Sequence, residues 1–243
     1  MNVKKLSKWG RRAAVSFFSD WKWRRHGVSP VWLGSPSGGA YVDVGRLTPD
    51  SVVYSFGIAT EISFDRAIID KVGCHVWGFD PDPRSSRWIH APERYVPEQF
   101  HFEELALATE SKEYIFHTTD IERMSGSLSQ TYGDGEDIRV QGKTLEDIME
   151  SHRHSRVDFL KMDIEGAEYE VLNTWAERYD TLPVGQLWLE FHPGGLKLTE
   201  RDSMALVRKL AKIGMVPGWR NYFRCPNNLL LVNERDGGMK GGM

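Results

Sequence analysis

The chain has 243 residues but only two cysteines, Cys74 and Cys225, with no spacing that would mark a disulfide framework. Each falls in a strand-like run, so both read as small core residues of a reduced, intracellular protein. No segment offers ~20 consecutive apolar residues, which excludes a membrane-spanning helix on sequence grounds. No internal repeat or low-complexity tract interrupts the chain, so solenoid and fibrous classes are set aside. Charge of one sign is also scarce overall, at a net −3. The little there is sits unevenly. Residues 1–25 carry eight basic side chains against Asp20, a net +7, which leaves −10 for the remainder. An acidic body of this kind argues against a general nucleic-acid binder.

The basic segment is not a signal peptide, because its apolar stretch Ala13-Ala-Val-Ser-Phe-Phe18 is short, stops at Asp20 and lacks a cleavage site. At helical spacing Leu6, Trp9, Ala13, Phe17 and Trp21 share one face, with Lys4, Lys8, Arg11 and Arg12 on another. Two expectations follow. Residues 1–25 form a helix lying on an anionic membrane surface, or a helix packing its aromatic stripe on the domain or on a second subunit. Gly27 to Gly39 reads as a linker or an ordered entry loop, and the tail after Glu234 as flexible. The expected division is therefore 1–40, 41–234 and 235–243.

Between these ends, strand and helix signals alternate. Strands are expected at Ser51–Gly57, Cys74–Asp80, Phe102–Ala108, Glu113–His117, Val157–Asp163 and Gly185–His192. Helices are expected at Ser63–Val72, Thr144–Ser151, Ala167–Arg178 and Thr199–Ile213. Residues 118–142 read as a polar loop or small insertion. Tyr222–Arg224 and Asn228–Val232 read as a closing strand pair. The alternation implies a doubly wound, mainly parallel α/β sheet.

Three constellations could carry chemistry. The turn Ser55-Phe56-Gly57-Ile58-Ala59-Thr60-Glu61 follows the first strand but lacks G-x-G-x-x-G, so a pyrophosphate has no cradle there. A cofactor without phosphate needs only room, amide donors for a carboxylate and an acid for an ammonium. Gly57 is expected to give the room and Glu61 the acid. Asp80 ends the second strand 23 positions after Gly57, where a carboxylate can accept both hydroxyls of a ribose. Asp163 and Glu165 close one later strand, and Glu190 and His192 close the next. Side by side, these four could hold a divalent metal or supply a general base.

The run Lys161-Met-Asp-Ile-Glu-Gly-Ala-Glu168 closely resembles the signature of the FkbM-type methyltransferases. Tyr54 to Asp65 is similar to that family's glycine-poor cofactor loop, Phe79-Asp-Pro81 to its ribose-binding acid, Met124 to Leu128 to its serine-rich stretch, and Leu189 to His192 to the strand that follows. Ala59 stands where relatives often have glycine. The resemblance implies a Rossmann-like, seven-stranded methyltransferase sheet with a C-terminal antiparallel hairpin. It also implies S-adenosylmethionine as cofactor, held by Ser55, Phe56, Gly57, Ile58, Glu61, Asp80, Pro81 and Asp163. The expected activity is O-methylation of a sugar, glycoconjugate or related metabolite. His192 is the first choice of base and Asp163 the second, with Glu165 and Glu190 orienting the acceptor or holding a metal. The expected compartment is cytoplasmic, with peripheral contact to the inner face of a membrane through residues 1–25. The alternatives are an NAD-dependent sugar oxidoreductase or epimerase, which the missing glycines disfavour, and a non-catalytic membrane-surface module.

Overall fold

The computed structural model describes residues 27–119, 126–129, 135–193, 197–221 and 225–235. The expected N-terminal helix, the tail after Arg235, Met124, Ser125 and the Tyr222–Arg224 strand lie outside the described residues.

The chain opens with two short strands, β1 (Val31–Leu33) and β2 (Ala40–Val42), paired antiparallel. Then come β3 (Val52–Phe56), α1 (Ser63–Val72), β4 (His75–Phe79), α2 (Pro83–Ile89) and β5 (Phe100–Glu103). A smaller group follows: β6 (Ala106–Leu107), β7 (Lys112–Thr118), β8 (Gly126–Ser127) and β9 (Asp137–Lys143). The rest runs α3 (Leu145–His152), β10 (Val157–Met162), α4 (Glu168–Arg178), β11 (Val184–Glu190), α5 (Glu200–Lys212), β12 (Met215–Asn221) and β13 (Cys225–Asn233).

Among the described residues, seven strands form the main sheet in the order β12-β13-β11-β10-β3-β4-β5. Strands β11, β10, β3, β4 and β5 are mutually parallel, and β13 runs antiparallel between β11 and β12. The sequence places the parallel strands because they are largely buried and read as short runs rich in apolar residues. One face packs Tyr54, Leu160 and Leu187 against Ile148 of α3, Leu172 of α4 and Leu206 of α5. The other packs Val53, Phe159 and Trp188 against Phe64 and Ile68 of α1 and Val42 of β2. Among the described residues no helix is long and apolar enough to cross a membrane.

Several expectations change. The described part of 118–142 belongs to a small inserted sheet and not to a plain loop: β9 pairs with β6 and with β7, and β7 pairs with β8. Its polar alternation reflects a small sheet with one wet face, which composition alone reads as loop. Helix α2 stands where the prolines suggested only a stop. Pro83 occupies its first turn, where a missing N–H costs nothing, and Asp82 caps it by accepting from the Arg84 amide. The expected strand Phe102–Ala108 is broken in two between Glu103 and Ala106. Among the described residues, Met215–Asn221 pairs with β13, a strand the sequence reading did not mark. Pro217 sits there at a register irregularity on the edge strand, where a proline is tolerated.

Candidate active site

In the main sheet the chain leaves β3 toward β4 and β5 on one side, and leaves β10 toward β11 and β13 on the other. The loops after β3 and β10 therefore diverge at the carboxyl edge and open a crevice there, the usual ligand position in this architecture. The crevice is a cleft of about 640 Å³, open mouth included. Phe56 and Phe79, stacked with ring centroids 4.6 Å apart, line it with Leu105, Leu107, Phe116 and Leu128. Its polar wall includes Asp80, Asp82, Asp163 and Glu165.

The loop after β3 is held from three sides. The Gly57 amide donates to the Phe79 carbonyl at 2.9 Å, and the Asp163 amide donates to the Phe56 carbonyl at 3.2 Å. Gly57 has φ +79°, and a Cβ there would lie 1.7 Å from the Asp163 carbonyl oxygen. The glycine is thus required by the approach of the β10 end, a different reason from the cofactor room expected of it. Ala59 also has positive φ, +45°, the conformation glycine adopts at least cost. Its amide donates to Asp80 Oδ2 at 2.7 Å, and the Asp82 amide donates to Asp80 Oδ1 at 2.9 Å. Burial pushes the Asp80 carboxyl up to about 6, although these two amides pull the other way. The Ser85 side chain also hydrogen-bonds the carboxylate, so three protein donors meet it and acceptor capacity is left for a ligand hydroxyl.

The carboxylate group after β10 and β11 is denser. Glu165 adopts φ +53° ahead of Gly166, and this turn swings Asp163 and Glu165 toward His192. His192 Nε2 lies 3.6 Å from Asp163 Oδ1 and 3.6 Å from Glu165 Oε2. Its Nδ1 is 3.3 Å from Glu168 Oε1. Glu168 is fully buried and accepts from two backbone amides, Gly166 at 2.7 Å and His192 at 2.6 Å. Burial pushes the His192 pKa down, but Glu168, Glu165 and Asp163 together raise it to about 9. The raised pKa favours the protonated imidazole at neutral pH, which works against His192 as a proton acceptor.

That charge has a consequence for stability. A histidine with raised folded pKa stabilises the fold fully below the unfolded value near 6.5 and loses that contribution as pH rises through about 9. The expected loss is on the order of 3 kcal/mol. Urea midpoints measured in EDTA should fall across this window, and His192→Asn should flatten the fall. Asp65 and Asp80, pushed up to about 6 by burial, act at lower pH and do not overlap it. An unchanged slope in the variant would contradict the ion cluster.

Of the residues expected at the site, Phe56, Gly57, Asp80, Pro81, Asp163 and Glu165 line the cleft, with His192 beside the last two. Ser55 and Ile58 are buried away from it, Ile58 in the apolar layer beneath α1. Glu61 faces the entry loop: its carboxylate accepts from the Ser35 hydroxyl and the Ser63 amide, both at 2.6 Å, and so starts α1. Glu190 is bonded by Asn228 at 3.1 Å, and burial followed by the Asp163 charge raises its pKa. Sequence reasoning missed Glu168, whose position at a helix start reads as a dipole-compensating acid. It also missed the apolar wall supplied by Leu105, Leu107 and Phe116, where no polar signal marks the residues.

This topology and cleft define a Rossmann-like α/β protein with its ligand crevice at the switch between β3 and β10. The family described as "Methyltransferase FkbM domain" matches residues 43–194, well over half the chain, and the chain belongs to it. It is a methyltransferase by family, and the family implies S-adenosylmethionine as methyl donor. Two solved structures share its outline. A fibrillarin/Nop5p complex matches at 11% identity and TM-score 0.45, covering 77% of this chain and 73% of that one. The Methanococcus jannaschii fibrillarin pre-rRNA processing protein matches at 10% identity and TM-score 0.44, covering 86% and 82%. No curated protein matches the chain.

Proposed function

We propose that the protein transfers a methyl group from S-adenosylmethionine to a hydroxyl oxygen of a sugar, glycoconjugate or related metabolite. The observation that carries this reading is the pairing of one acid, Asp80, on the β4 side of the cleft with an acid–imidazole cluster, Asp163, Glu165 and His192, on the β10 side. S-adenosylmethionine supplies a methyl group activated by a cationic sulfonium. The residues fit it. Asp80 offers acceptor lone pairs for the ribose hydroxyls, and the apolar lining from Phe79 to Leu107 suits a purine and excludes water. Asp163 and Glu165 put negative charge near the sulfonium and leave the mouth for the acceptor. Methyl transfer is an in-line displacement, so holding the acceptor oxygen in line is a large share of catalysis.

The assistance a hydroxyl needs has two readings. His192 as general base requires the neutral imidazole, which three carboxylates disfavour. The geometry favours a second reading: Asp163, Glu165 and His192 offer one donor atom each, all within 4.8 Å of one another. Two carboxylates and an imidazole suit a divalent cation such as manganese. Such an ion supplies Lewis acidity to a hydroxyl oxygen. Glu190 lies outside that set of three.

The test is binding followed by turnover. S-adenosylhomocysteine should raise the melting temperature of the purified protein, and NAD should not. With hydroxyl acceptors, EDTA should abolish methyl transfer and manganese restore it, and His192→Ala should lower turnover by about 10²–10⁴-fold. Stabilisation by NAD alone would defeat the cofactor reading. Full turnover of His192→Ala would defeat both assistance readings.

A further inference from the structure

Lys161 is not used by the site chemistry above, yet its placement is unusual. It stands in register with Ser55 on β3 and Trp188 on β11, one level below the carboxyl edge. Its side chain is only 6% exposed. Lysine is almost never buried this far unless paired. Its Nζ lies 3.7 Å from Asp163 Oδ2, while the other oxygen of that carboxylate faces His192 at 3.6 Å. Its charge also reaches Asp65 of α1, which is 2% exposed. Burial pushes the Asp65 carboxyl up, and the Lys161 charge is the largest influence pulling it down. Glu61 and Glu190 also feel that charge. Lys161 is therefore set between the helix that follows the β3 loop and the carboxylate that ends β10.

The geometry points to Lys161 as a positioning residue: its ammonium, whose charge the buried Asp65 carboxylate helps to balance, fixes Oδ2 of Asp163 and leaves Oδ1 to the cleft and His192. This rests on the cleft being the S-adenosylmethionine site. A purely structural lysine would do less. It would neutralise Asp65 in the core, and its removal would matter only through the fold. The two roles separate when Asp65 is neutralised as well. Without Lys161 the buried Asp65 is left uncompensated, whereas Asp65→Asn removes that burden. Asp163 stays unheld in either case.

The experiment compares the wild type, Asp65→Asn, Lys161→Met, Lys161→Arg and the double variant Lys161→Met/Asp65→Asn. Thermal melts report the fold, and calorimetry with S-adenosylhomocysteine reports the site. Lys161→Met alone should melt well below the wild type. The double variant should recover most of the melting temperature but bind about tenfold more weakly or worse, the size of a lost charge-assisted contact. Asp65→Asn should bind like the wild type, and Lys161→Arg should regain part of the affinity. A double variant with wild-type affinity would overturn the positioning role while leaving the cofactor assignment standing. A wild-type protein that binds no S-adenosylhomocysteine would overturn both.

Discussion

Gly57→Ala is expected to lose roughly 2–5 kcal/mol of stability and most of its cofactor affinity. Two costs combine. A residue with Cβ at φ +79° pays about 1–2 kcal/mol for the left-handed conformation. The added methyl would also fall 1.7 Å from the Asp163 carbonyl oxygen, inside any permitted contact. That neighbour is backbone at the end of a central strand, so it can move only by dragging Asp163 with it. Overpacking of this kind costs about 1–3 kcal/mol more. The loop carries the Ala59 amide that meets Asp80, so a shift at Gly57 reaches both walls of the cleft. Urea denaturation reads the first effect and calorimetry with S-adenosylhomocysteine the second. A variant with native midpoint and native affinity would show that the two loops do not meet as described.

Glu168→Ala should cost about 3–5 kcal/mol, the range for breaking a buried ion pair by removing one partner. The fully buried carboxylate holds the Gly166 and His192 amides at 2.7 and 2.6 Å and lies 3.3 Å from the imidazole. Truncation leaves two amides without their acceptor and a histidine with one counter-charge fewer. Glu168→Gln should lie between, since its one carbonyl oxygen can still accept from a single amide. Denaturant midpoints for the three proteins give the ranking. An NMR titration of His192 should show its pKa falling from about 9 toward the ordinary histidine value in both variants. A loss below about 1 kcal/mol in Glu168→Ala would remove Glu168 from the framework of the site.

These two residues illustrate how differently the chain discloses itself. The order of strands and helices was legible because local patterns fix it. Helix α1 runs over Ser63–Val72 as its apolar spacing demands, and α5 begins after Thr199, whose capping box with Asp202 is written in the sequence. Buried parallel strands such as Val184–Glu190 announce themselves by their largely apolar character. The placement of Asp80, Asp163, Glu165 and His192 at or beside the crevice was legible because each ends a strand or follows one, and strand ends of a doubly wound sheet converge.

What a pattern cannot hold is the distance between residues far apart in the chain. Nothing local says that Glu61 turns to Ser35 and not to the cleft. Ser55 is likewise one residue from a cleft-lining phenylalanine but on the opposite face, because strand side chains alternate. The charge on His192 depends on three carboxylates brought from the turn and helix after β10, and only packing supplies them. The reason for Gly57 is of the same kind: the sequence shows a glycine after a strand, while the tertiary structure supplies the carbonyl that forbids anything larger. The sequence thus determined the architecture, the family and the strand-end acids, all of which depend on periodicity and local motif. The tertiary structure decided which acids face the cleft, which serve the framework and what charge they impose, because burial and Coulomb energy depend on distances that only the packed sheet sets.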